Sequence, residues 1–502
     1  LAGVQAPGLT LAGATIPGLP FHVIGHNGRI AWGMTATHAD TIDLFVERTI
    51  GDDAYQAPKG PQAFQRRQEV IKVKGGADVT LTVRETRHGP VISDVLPRAA
   101  LPGGEVIAFS AAFLAADDLT AQAFFRLNRA GDWKGFVAAL KDFHSPVQNL
   151  AYADATGAIG FYTAGRVPIR RSGLGAVPAP GWTGEADWTG WVPFAKMPQL
   201  LNPRSGRIVN ANNKVVGDDY PYLLAADWPD GYRAARIGEL LKDRKDLTVE
   251  DMALMQTDAV SREALELKEL LTGVEPQTDR QRRAMAMITA WDGTAAADRP
   301  EPLLFAAWTS HLNRAIFSDE LREAFPLMEP VRASVLIGAL TRSRHWCDDV
   351  STPEAEGCDD MVLRSLDAAL AELSKAWGDD MAKWRWGQAH QATFDSPVLG
   401  KVPGLARIAN LSVPAPGDDF TVSRGSWLAD GQGHFPNPHG PGLRAVFDLA
   451  DLSHSRFILA TGQSGNPLSR HYGDMMKDWA ANRGVTIVPH GGIALMTMEP
   501  VK

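Results

Sequence analysis

The sequence IGHNGRIAWGMTAT at residues 24–37, which continues as DTIDLF at residues 40–45, is the stretch from which the fold of this chain is predicted. Its short apolar runs and turn residues are typical of strands joined by turns. Side chains that could bind zinc occur in and around it: His22, His26, His38, Asp40 and Asp43. Because a histidine on a strand or turn more often makes structural hydrogen bonds, we expect these histidines to be structural, and a metal hydrolase stays open as a competing hypothesis.

Length and composition describe an ordinary globular protein. The 502 residues exceed an average single domain, so we expect two domains or one large core with an insertion. The chain is 45% hydrophobic and 22% charged, and its formal net charge of -8 includes no long basic run, which argues against nucleic acid as a partner. It has no apolar stretch long enough to cross a bilayer, and it begins with neither an initiator Met nor a signal peptide.

The chain has two cysteines, Cys347 and Cys358, which stand eleven positions apart in a segment rich in Asp, Pro, Gly and Ser. A pair with no cysteine left over favours a single disulfide that closes a loop, and hence an oxidising compartment such as the periplasm. Two unrelated thiols remain the alternative, whereas a zinc site would require more ligands at closer spacing.

The periodicity of apolar residues divides the chain into three parts. Residues 1–230 are β-rich and punctuated by glycine, and residues 231–385 have helical periodicity. Residues 386–502 return to glycine, proline and short strands. We therefore predict an α+β core assembled from the two ends of the chain around a large helical insertion.

Local signals place individual elements within these parts. Two hairpins are predicted from strand-like residues on either side of glycine-containing turns: 70–73 with 79–83, and 149–153 with 159–169. In the helical part, Thr248 and Asp251 are spaced to form a reciprocal capping box at the start of a helix.

Several common catalytic signatures are absent from the sequence. It contains no phosphate-binding loop, no dinucleotide fingerprint, no H-E-x-x-H zinc helix and no S-x-x-K motif. Ser464 lies in a Gly-Gln-Ser-Gly-Asn context, which lacks the second glycine of a nucleophile elbow at the required spacing. No internal serine is therefore marked as a nucleophile, and we expect no organic cofactor.

Blocks of sequence spread along the chain resemble the large subunit of penicillin acylases in order and spacing. The first block is residues 24–45, and the second is NPRSGRIVNANN at residues 202–213, followed by residues 219–221 and 231–237. Smaller matches extend the resemblance through nearly the whole chain: residues 87–92, 386–390 and 462–467, then Ser469, His471, Tyr472 and Asp474. On these motifs the chain is identified as a member of the penicillin acylase family.

The resemblance implies a four-layer αββα core of the N-terminal-nucleophile hydrolase type. In this family a precursor cuts itself into a small and a large subunit, and the serine at the new terminus attacks the amide with its own α-amino group as base. The resemblance places Leu1 some tens of residues beyond that serine. We therefore expect the nucleophile and the small subunit to be absent from this chain, and this fragment alone to be inactive.

The resemblance also implies which residues stabilise the oxyanion and shape the acyl pocket. The backbone N–H of Ala36 and the side-chain amide of Asn212 match the two oxyanion donors. Arg233 matches an arginine that helps to orient the terminal serine and the asparagine. Ile24 stands where penicillin G acylases have an aromatic wall of the acyl pocket, so an aliphatic acyl chain is favoured.

A structural calcium ion is a further implication of the resemblance. Asp40, the carbonyl group of Ile42, and Asp43 match ligands of several family members, and hard oxygen donors suit this ion. One ligand would come from the small subunit, and a later aspartate of the family pattern has no counterpart near Tyr222 or Leu223. The expected ligand set is therefore incomplete in this chain.

The expected activity is hydrolysis of a linear amide that releases a carboxylic acid from an N-acylated amine, such as a penicillin, a cephalosporin or an N-acyl-homoserine lactone. The expected partners are the small subunit of the same precursor, in a heterodimer, and a small acylated substrate, in the periplasm or outside the cell. A catalytically inactive family member that acts as a binding protein is the alternative, beside the metal hydrolase built on His22, His26 and His38.

Overall fold

The computed structural model describes residues 1–96, 101, 103–328 and 331–487. The chain forms two compact units, of which the first is Ala2–Pro229 and the second begins at Asp230 and includes Leu1. The first unit is built mainly from strands, and the second contains most of the helices.

The first unit consists of mostly antiparallel sheets and two helices. Its strands in chain order are β1 (Ala2–Ala6), β2 (Leu9–Thr15), β3 (His22–His26), β4 (Ile30–Ala36), β5 (Ile42–Ile50), β6 (Ala54–Ala57), β7 (Gly60–Ala63), β8 (Gln65–Ile71), β9 (Val79–Thr86), β10 (Gly89–Pro90), β11 (Glu105–Ala111), β12 (Gln148–Asp154), β13 (Ile159–Ala164), β14 (Pro168–Arg170), β15 (Ala179–Pro180), β16 (Trp188–Trp191) and β17 (Gln199–Leu201). Its helices are α1 (Thr120–Leu127) and α2 (Trp133–Leu140).

The main sheet of this unit has seven antiparallel strands in the order β1-β2-β3-β4-β12-β13-β17. Successive side chains along each strand point to opposite faces, so one face can be apolar and the other polar. On the apolar face Trp32 of β4 and Tyr152 of β12 belong to the same buried core as Phe136 of α2. Helix α2 begins where Asp132 accepts a hydrogen bond from the N–H of Gly135 at 2.8 Å.

Both predicted hairpins are confirmed, although the first arm of the earlier one ends at Ile71 instead of residue 73. β8 pairs with β9, and β12 pairs with β13, each in antiparallel register. The second arm of the later hairpin ends at Ala164 instead of continuing to residue 169. Gly165 adopts a φ of +132°, and a side chain there would collide with Val147, so the chain bends at this point. The next strand, β14, pairs with β16 in a separate two-stranded sheet.

A second sheet of the first unit has the order β11-β5-β6-β7, and β15 pairs in parallel with β5. Strand β5 buries two carboxylates, Asp43 and Glu47, on one face. Asp43 pairs with Arg170, and Glu47 lies 2.6 Å from Nδ1 of His88. Such partners are needed because removing a carboxylate from water without compensation is costly.

The second unit contains helices followed by short strands. Its helices are α3 (Tyr232–Leu241), α4 (Val249–Met255), α5 (Arg262–Thr272), α6 (Asp279–Ala290), α7 (Glu301–Leu321), α8 (Phe325–Met328), α9 (Ala333–Thr341), α10 (Cys358–Trp377), α11 (Trp386–Ala389), α12 (Ala406–Ala409) and α13 (Met476–Ala480). Its strands are β18 (Gln391–Phe394), β19 (Leu411–Pro414), β20 (Leu443–Val446) and β21 (Arg456–Leu459). Among the described residues, no helix combines the length and the apolar character needed to cross a membrane.

Helices α7 and α10 form the centre of the helical core. The buried residues of α7 are distributed around its circumference, as is typical of a helix enclosed by others. Trp308 of α7 is fully buried, and its indole N–H donates to the carbonyl of Val362 in α10 at 3.0 Å. That bond satisfies the single polar atom of the ring, so the aromatic side chain is buried without an unpaired donor.

The capping box predicted at the start of α4 is confirmed. The hydroxyl of Thr248 accepts from the N–H of Asp251 at 3.1 Å, and the carboxylate of Asp251 accepts from the N–H of Thr248 at 3.0 Å. Because these two bonds satisfy donors that the helix itself cannot pair, the cap stabilises the helix by about 1 kcal/mol.

The predicted disulfide between Cys347 and Cys358 is confirmed, with the two Cα atoms 4.9 Å apart. Cys347 ends a short 3-10 turn, and Cys358 is the first residue of α10. Both sulfur-bearing side chains are buried in the helical core. The alternative of two unrelated thiols is therefore wrong.

Replacing both cysteines by serine should lower the free energy of unfolding of the helical unit by about 3 kcal/mol, because the unfolded chain loses the loop constraint. We expect a lower urea midpoint for Cys347→Ser/Cys358→Ser, measured by far-UV circular dichroism. Dithiothreitol should lower the midpoint of the parent protein and leave the double variant unchanged. Equal sensitivity of the two proteins to the reductant would contradict a stabilising disulfide.

Candidate active site

Ala36, the last residue of β4, presents its peptide group at an exposed strand end. The N–H of the following residue, Thr37, donates to the carbonyl of Val147 at 3.5 Å, which makes these two a hydrogen-bonded pair beside β12. In an antiparallel ladder the preceding residue then directs its N–H and C=O away from β12. On that other side the ladder between β3 and β4 extends only to Trp32. The peptide of Ala36 therefore faces a region beyond the end of the ladder, and Ala36 is exposed.

Asn212 contacts this peptide group. Its side-chain Nδ2 donates to the carbonyl oxygen of Ala36 at 2.9 Å. Its φ of +67° lies in the left-handed region, which asparagine adopts more readily than most residues with a side chain. The structure thus brings together two predicted site residues that are 176 positions apart in the sequence.

Asn210 holds the segment that carries Asn212. Its Oδ1 accepts from the N–H of Asn212 at 3.1 Å and from the hydroxyl of Thr35 at 2.5 Å. The first bond closes a turn of the type in which an asparagine side chain accepts from the backbone N–H two residues later. The second bond connects this turn to β4. Asn210 was not among the predicted site residues, although the Asn-x-Asn spacing is a recognisable signal for such a turn.

Ile24 lies beside an open space on the polar face of the main sheet. It is half-buried in β3, on the same face as His22 and His26. The register of β3 with β4, continued by one residue, places Gly33 opposite Ile24. A methyl group built on Gly33 would meet no atom within 4 Å. This face therefore has room for an apolar group next to Ile24.

Of the three histidines named as possible zinc ligands, two are buried in β3 and the third is exposed. Within the part of the chain that the structure describes, no group of three or more His, Cys, Asp or Glu residues is placed to hold a metal ion. His22 is buried and its Nε2 lies 2.9 Å from the carbonyl oxygen of Ala2. Burial, together with the smaller effect of the neighbouring His22, lowers the pKa of His26 to about 4. His26 is therefore neutral at pH 7, while His38 lies exposed after β4.

The two aspartates expected to bind calcium are engaged by other groups. Both carboxylate oxygens of Asp43 accept hydrogen bonds from Arg170, at 2.8 and 2.9 Å. Asp40 directs its carboxylate to the N–H of Ala226 at 2.8 Å. Ile42 opens β5 with a side chain that is 43% exposed. Because a guanidinium stands where a cation would contact Asp43, these residues do not fit the calcium ion that the resemblance implies.

Arg233 belongs to the second unit, near the start of α3. Burial, and to a smaller extent the neighbouring Arg424, lower the pKa of its guanidinium to about 10, and Asp419 partly opposes the shift. Asp419 also accepts hydrogen bonds from Arg424 at 3.3 Å and from the hydroxyl of Ser426 at 2.6 Å. Arg233 therefore keeps its positive charge at neutral pH.

Comparison with known sequences identifies relatives along the whole chain. The family model described as penicillin amidase matches residues 1–488. The acyl-homoserine lactone acylase QuiP of Pseudomonas syringae pv. tomato is 30% identical, over 96% of this chain and 61% of its own length. The penicillin acylase 2 proenzyme of a Pseudomonas species is 32% identical, over 94% of this chain and 60% of its own length. The chain thus spans about three fifths of the length of these curated relatives.

Among solved structures, the chain is similar to the thermostable penicillin G acylase from Alcaligenes faecalis. The TM-score is 0.75 at 21% identity, and the match covers 99% of this chain and 94% of that chain. At this identity the likeness shows the fold alone. The predicted fold class is confirmed: the chain has the N-terminal-nucleophile hydrolase fold, with mixed helices and sheets.

Acidification should destabilise the first unit through His26. Its pKa of about 4 in the folded protein lies below the ordinary value of about 6.5, so protonation favours the unfolded chain as the pH falls from about 6.5 towards 4. The stabilisation is fully present above pH 6.5, and between pH 7 and 5 the loss is on the order of 1–2 kcal/mol. Thermal melting at these two pH values should show a smaller decrease in Tm for His26→Gln than for the parent.

The exposed His434 provides a control, and His434→Gln should retain the pH dependence of the parent. If His26→Gln lost as much stability on acidification as the parent, His26 would not be a source of the effect.

Proposed function

The chain belongs to the penicillin amidase family, and from that premise we propose that it is the main part of an amidohydrolase. The proposed reaction is hydrolysis of a linear amide, which releases a carboxylic acid from an N-acylated amine. Relatives named acyl-homoserine lactone acylase and penicillin acylase support this reaction class. Among the possible acyl groups, we propose a flexible aliphatic chain, of the kind found in N-acyl-homoserine lactones.

One observation carries the proposal: the amide of Asn212 lies 2.9 Å from the carbonyl oxygen of Ala36 at the exposed end of β4. The N–H of Ala36 lies on the same side of the strand as that carbonyl group. A backbone N–H and a side-chain amide therefore lie next to each other beyond the end of the ladder. Two neighbouring donors of this kind suit the oxyanion of a tetrahedral intermediate.

In the proposed mechanism the nucleophile is a terminal serine that precedes Leu1 in the complete gene product. Its Oγ bonds to the amide carbon while its α-amino group takes the hydroxyl proton, and the electrons of the carbonyl double bond move to oxygen. Ala36 and Asn212 stabilise that oxyanion, each donor contributing about 3 kcal/mol. Collapse breaks the C–N bond, the proton passes to the leaving amine, and water then releases the acid from the acyl-serine.

Arg233 is proposed as a positioning residue that orients the terminal serine. The support is its place in the family pattern together with its charge, since a guanidinium with a pKa of about 10 is protonated at neutral pH. A permanent positive charge also disfavours protonation of a nearby α-amino group, which must be neutral to act as the base.

The acyl chain is proposed to bind over Gly33, next to Ile24. The support is the open space above Gly33 and the aliphatic side chain beside it. An apolar chain that fills this space gains about 0.8 kcal/mol for each methylene removed from water. A planar aromatic acyl group would lack the aromatic wall that penicillin G acylases have at the position of Ile24.

The proposed partner is a small subunit released from the same precursor, and the proposed location is the periplasm. The family supports the first point, since penicillin acylases are typically processed heterodimers. The disulfide between Cys347 and Cys358 supports the second, because such bonds persist in oxidising compartments.

The complete gene product provides the test of this proposal. We expect N-terminal sequencing of the purified protein to give two fragments, the larger beginning with serine, and we expect release of amine from a series of N-acyl-homoserine lactones of increasing chain length. A larger fragment without a terminal serine would overturn the mechanism. Binding of acylated amines without any hydrolysis would instead support the inactive binding protein.

Removing the amide of Asn212 should lower kcat by a hundredfold or more while substrate still binds, because one oxyanion donor is lost. Asn212→Ala removes the amide, and Asn212→Gly does so without strain at a φ of +67°. Asn202 also has a positive φ, of +46°, so Asn202→Gly is the matched control and should retain kcat. Initial rates over a range of substrate concentrations measure the effect, and an unchanged kcat in both Asn212 variants would remove this residue from the site.

Filling the space over Gly33 should change the preference for acyl chains. Gly33→Val suits a strand position and should lower kcat/KM for long acyl chains about tenfold relative to short ones, because it excludes one or two methylenes. Ile24→Ala should have the opposite effect by widening the same space. Competition between a long and a short substrate measures the ratio of their kcat/KM values. If both variants had the same ratio as the parent enzyme, the acyl pocket would lie elsewhere.

A further inference from the structure

The ion pair between Asp43 and Arg170 is almost completely buried, with side-chain exposures of 5% and 3%. Asp43 lies in β5, and Arg170 is the last residue of β14, 127 positions later. Since a buried charge is stable only with a compensating partner, each of these residues depends on the other. The pair stands at the position where the resemblance implies a calcium ion.

The guanidinium of Arg170 is aligned with the carboxylate of Asp43 by two parallel bonds, Nε to Oδ2 at 2.8 Å and Nη2 to Oδ1 at 2.9 Å. This paired geometry is the strongest that arginine forms with a carboxylate. Nη2 also donates to the carbonyl oxygen of Asp40 at 3.2 Å, and the indole N–H of Trp188 donates to Asp43 at 2.5 Å. Arg170 therefore joins the two aspartates expected to bind calcium.

The backbone of a neighbouring segment lies directly against this pair. Gly175 has a φ of +73°, and a Cβ atom built on it would lie 2.2 Å from Oδ1 of Asp43 and 2.8 Å from Nε of Arg170. The backbone of the connection that follows β14 therefore closes directly over both side chains. Among the described residues, the third nitrogen of Arg170, Nη1, is buried and has no hydrogen-bond partner.

The charges also favour a guanidinium over a divalent cation. Asp43 contributes one buried negative charge, whereas the carboxylate of Asp40 is directed to the N–H of Ala226. One guanidinium neutralises one carboxylate, whereas tight binding of Ca²⁺ would require further anionic ligands at the same point, and a single carboxylate with carbonyl oxygens would bind the ion only at millimolar concentration. Arginine is protonated at every pH at which proteins fold, so the neutralisation is permanent.

We propose that Arg170 is an internal cation that takes the place of a structural calcium ion in this protein. It holds the two-stranded sheet of β14 and β16 on the β4–β5 connection, which follows directly from Ala36. Because the cation is part of the chain, the integrity of this region does not depend on the calcium concentration of the medium. This inference concerns stability and metal content and stands independently of the proposed reaction.

The first test uses the complete gene product purified in the presence of Ca²⁺ and then desalted. Elemental analysis should find far less than one calcium per protein, and Tm should be the same with excess EDTA as with millimolar Ca²⁺. Stoichiometric calcium, or a decrease in Tm on chelation, would overturn the proposal.

The second test converts the site to one that lacks its internal cation. Arg170→Gln should lower Tm, because the carboxylate of Asp43 loses its cationic partner. Millimolar Ca²⁺ should then bind to this carboxylate and raise the Tm of the variant by roughly 3–6 °C. Asp43→Asn/Arg170→Gln should not respond to Ca²⁺, because the carboxylate is gone. Arg84→Gln is the matched control, since Arg84 makes the same bidentate pair with Asp94 elsewhere in the first unit and should not respond.

An Arg170→Gln variant that folds and shows the same Tm with and without Ca²⁺ would refute the exchange of one cation for the other. If that variant fails to fold, Arg170→Lys decides the question, because it retains the charge. The lysine variant should be insensitive to Ca²⁺, and a rise in its Tm with the metal would count against the proposal.

Discussion

The antiparallel pairing of β4 with β12, in which Thr37 lies opposite Val147, decides which way each residue of β4 points, and the proposed site depends on it. In this register Trp32 packs in the apolar core, Gly33 faces the open space, and the peptide of Ala36 points away from β12. A slip of one residue would exchange the two faces of the strand. The same ladder thus builds the core and positions the proposed oxyanion donor, so neither can change without the other.

The second proposed donor, Asn212, lies in irregular backbone, yet its position is fixed by contacts with β4. Asn210 pairs with the backbone of Asn212 and with the hydroxyl of Thr35, which couples the turn to β4. The left-handed backbone of Asn212 lets its side chain reach the carbonyl of Ala36 from this turn. Such preorganisation matters because a donor contributes to catalysis only when no reorganisation is needed as charge develops.

Local signals in the sequence were sufficient for the elements that depend on local physics. The capping box at Thr248, the hairpins and the disulfide were predicted because their determinants lie within a few residues of one another. Ala36 and Asn212 were found through motifs of the family, although only the folded chain shows their contact. The early end of β13 was not predicted. The chain bends at Gly165, where the backbone lies so close to Val147 that only glycine fits, and Val147 belongs to another segment.

Asp43 shows why the partner of a buried side chain could not be predicted from the sequence. A buried aspartate has the same sequence signature whether its partner is a metal ion or an arginine, and the deciding residue lies 127 positions away. Nothing in the local sequence around Arg170 marks it as a partner of β5.

The stability of strand β5 depends on side chains from distant segments at a second position as well. Its second buried carboxylate, Glu47, lies 2.6 Å from His88, whose other ring nitrogen lies 3.0 Å from Asp187. Phe45, between the two acids on the same face, stacks on His88 with ring centroids 3.6 Å apart. Removing one member of a buried pair leaves an uncompensated charge at a cost of about 3–5 kcal/mol. The segments that carry Arg170 and His88 therefore cannot separate from β5 without a large penalty, and the bond from Arg170 to the carbonyl oxygen of Asp40 extends this restraint to the β4–β5 connection that follows Ala36.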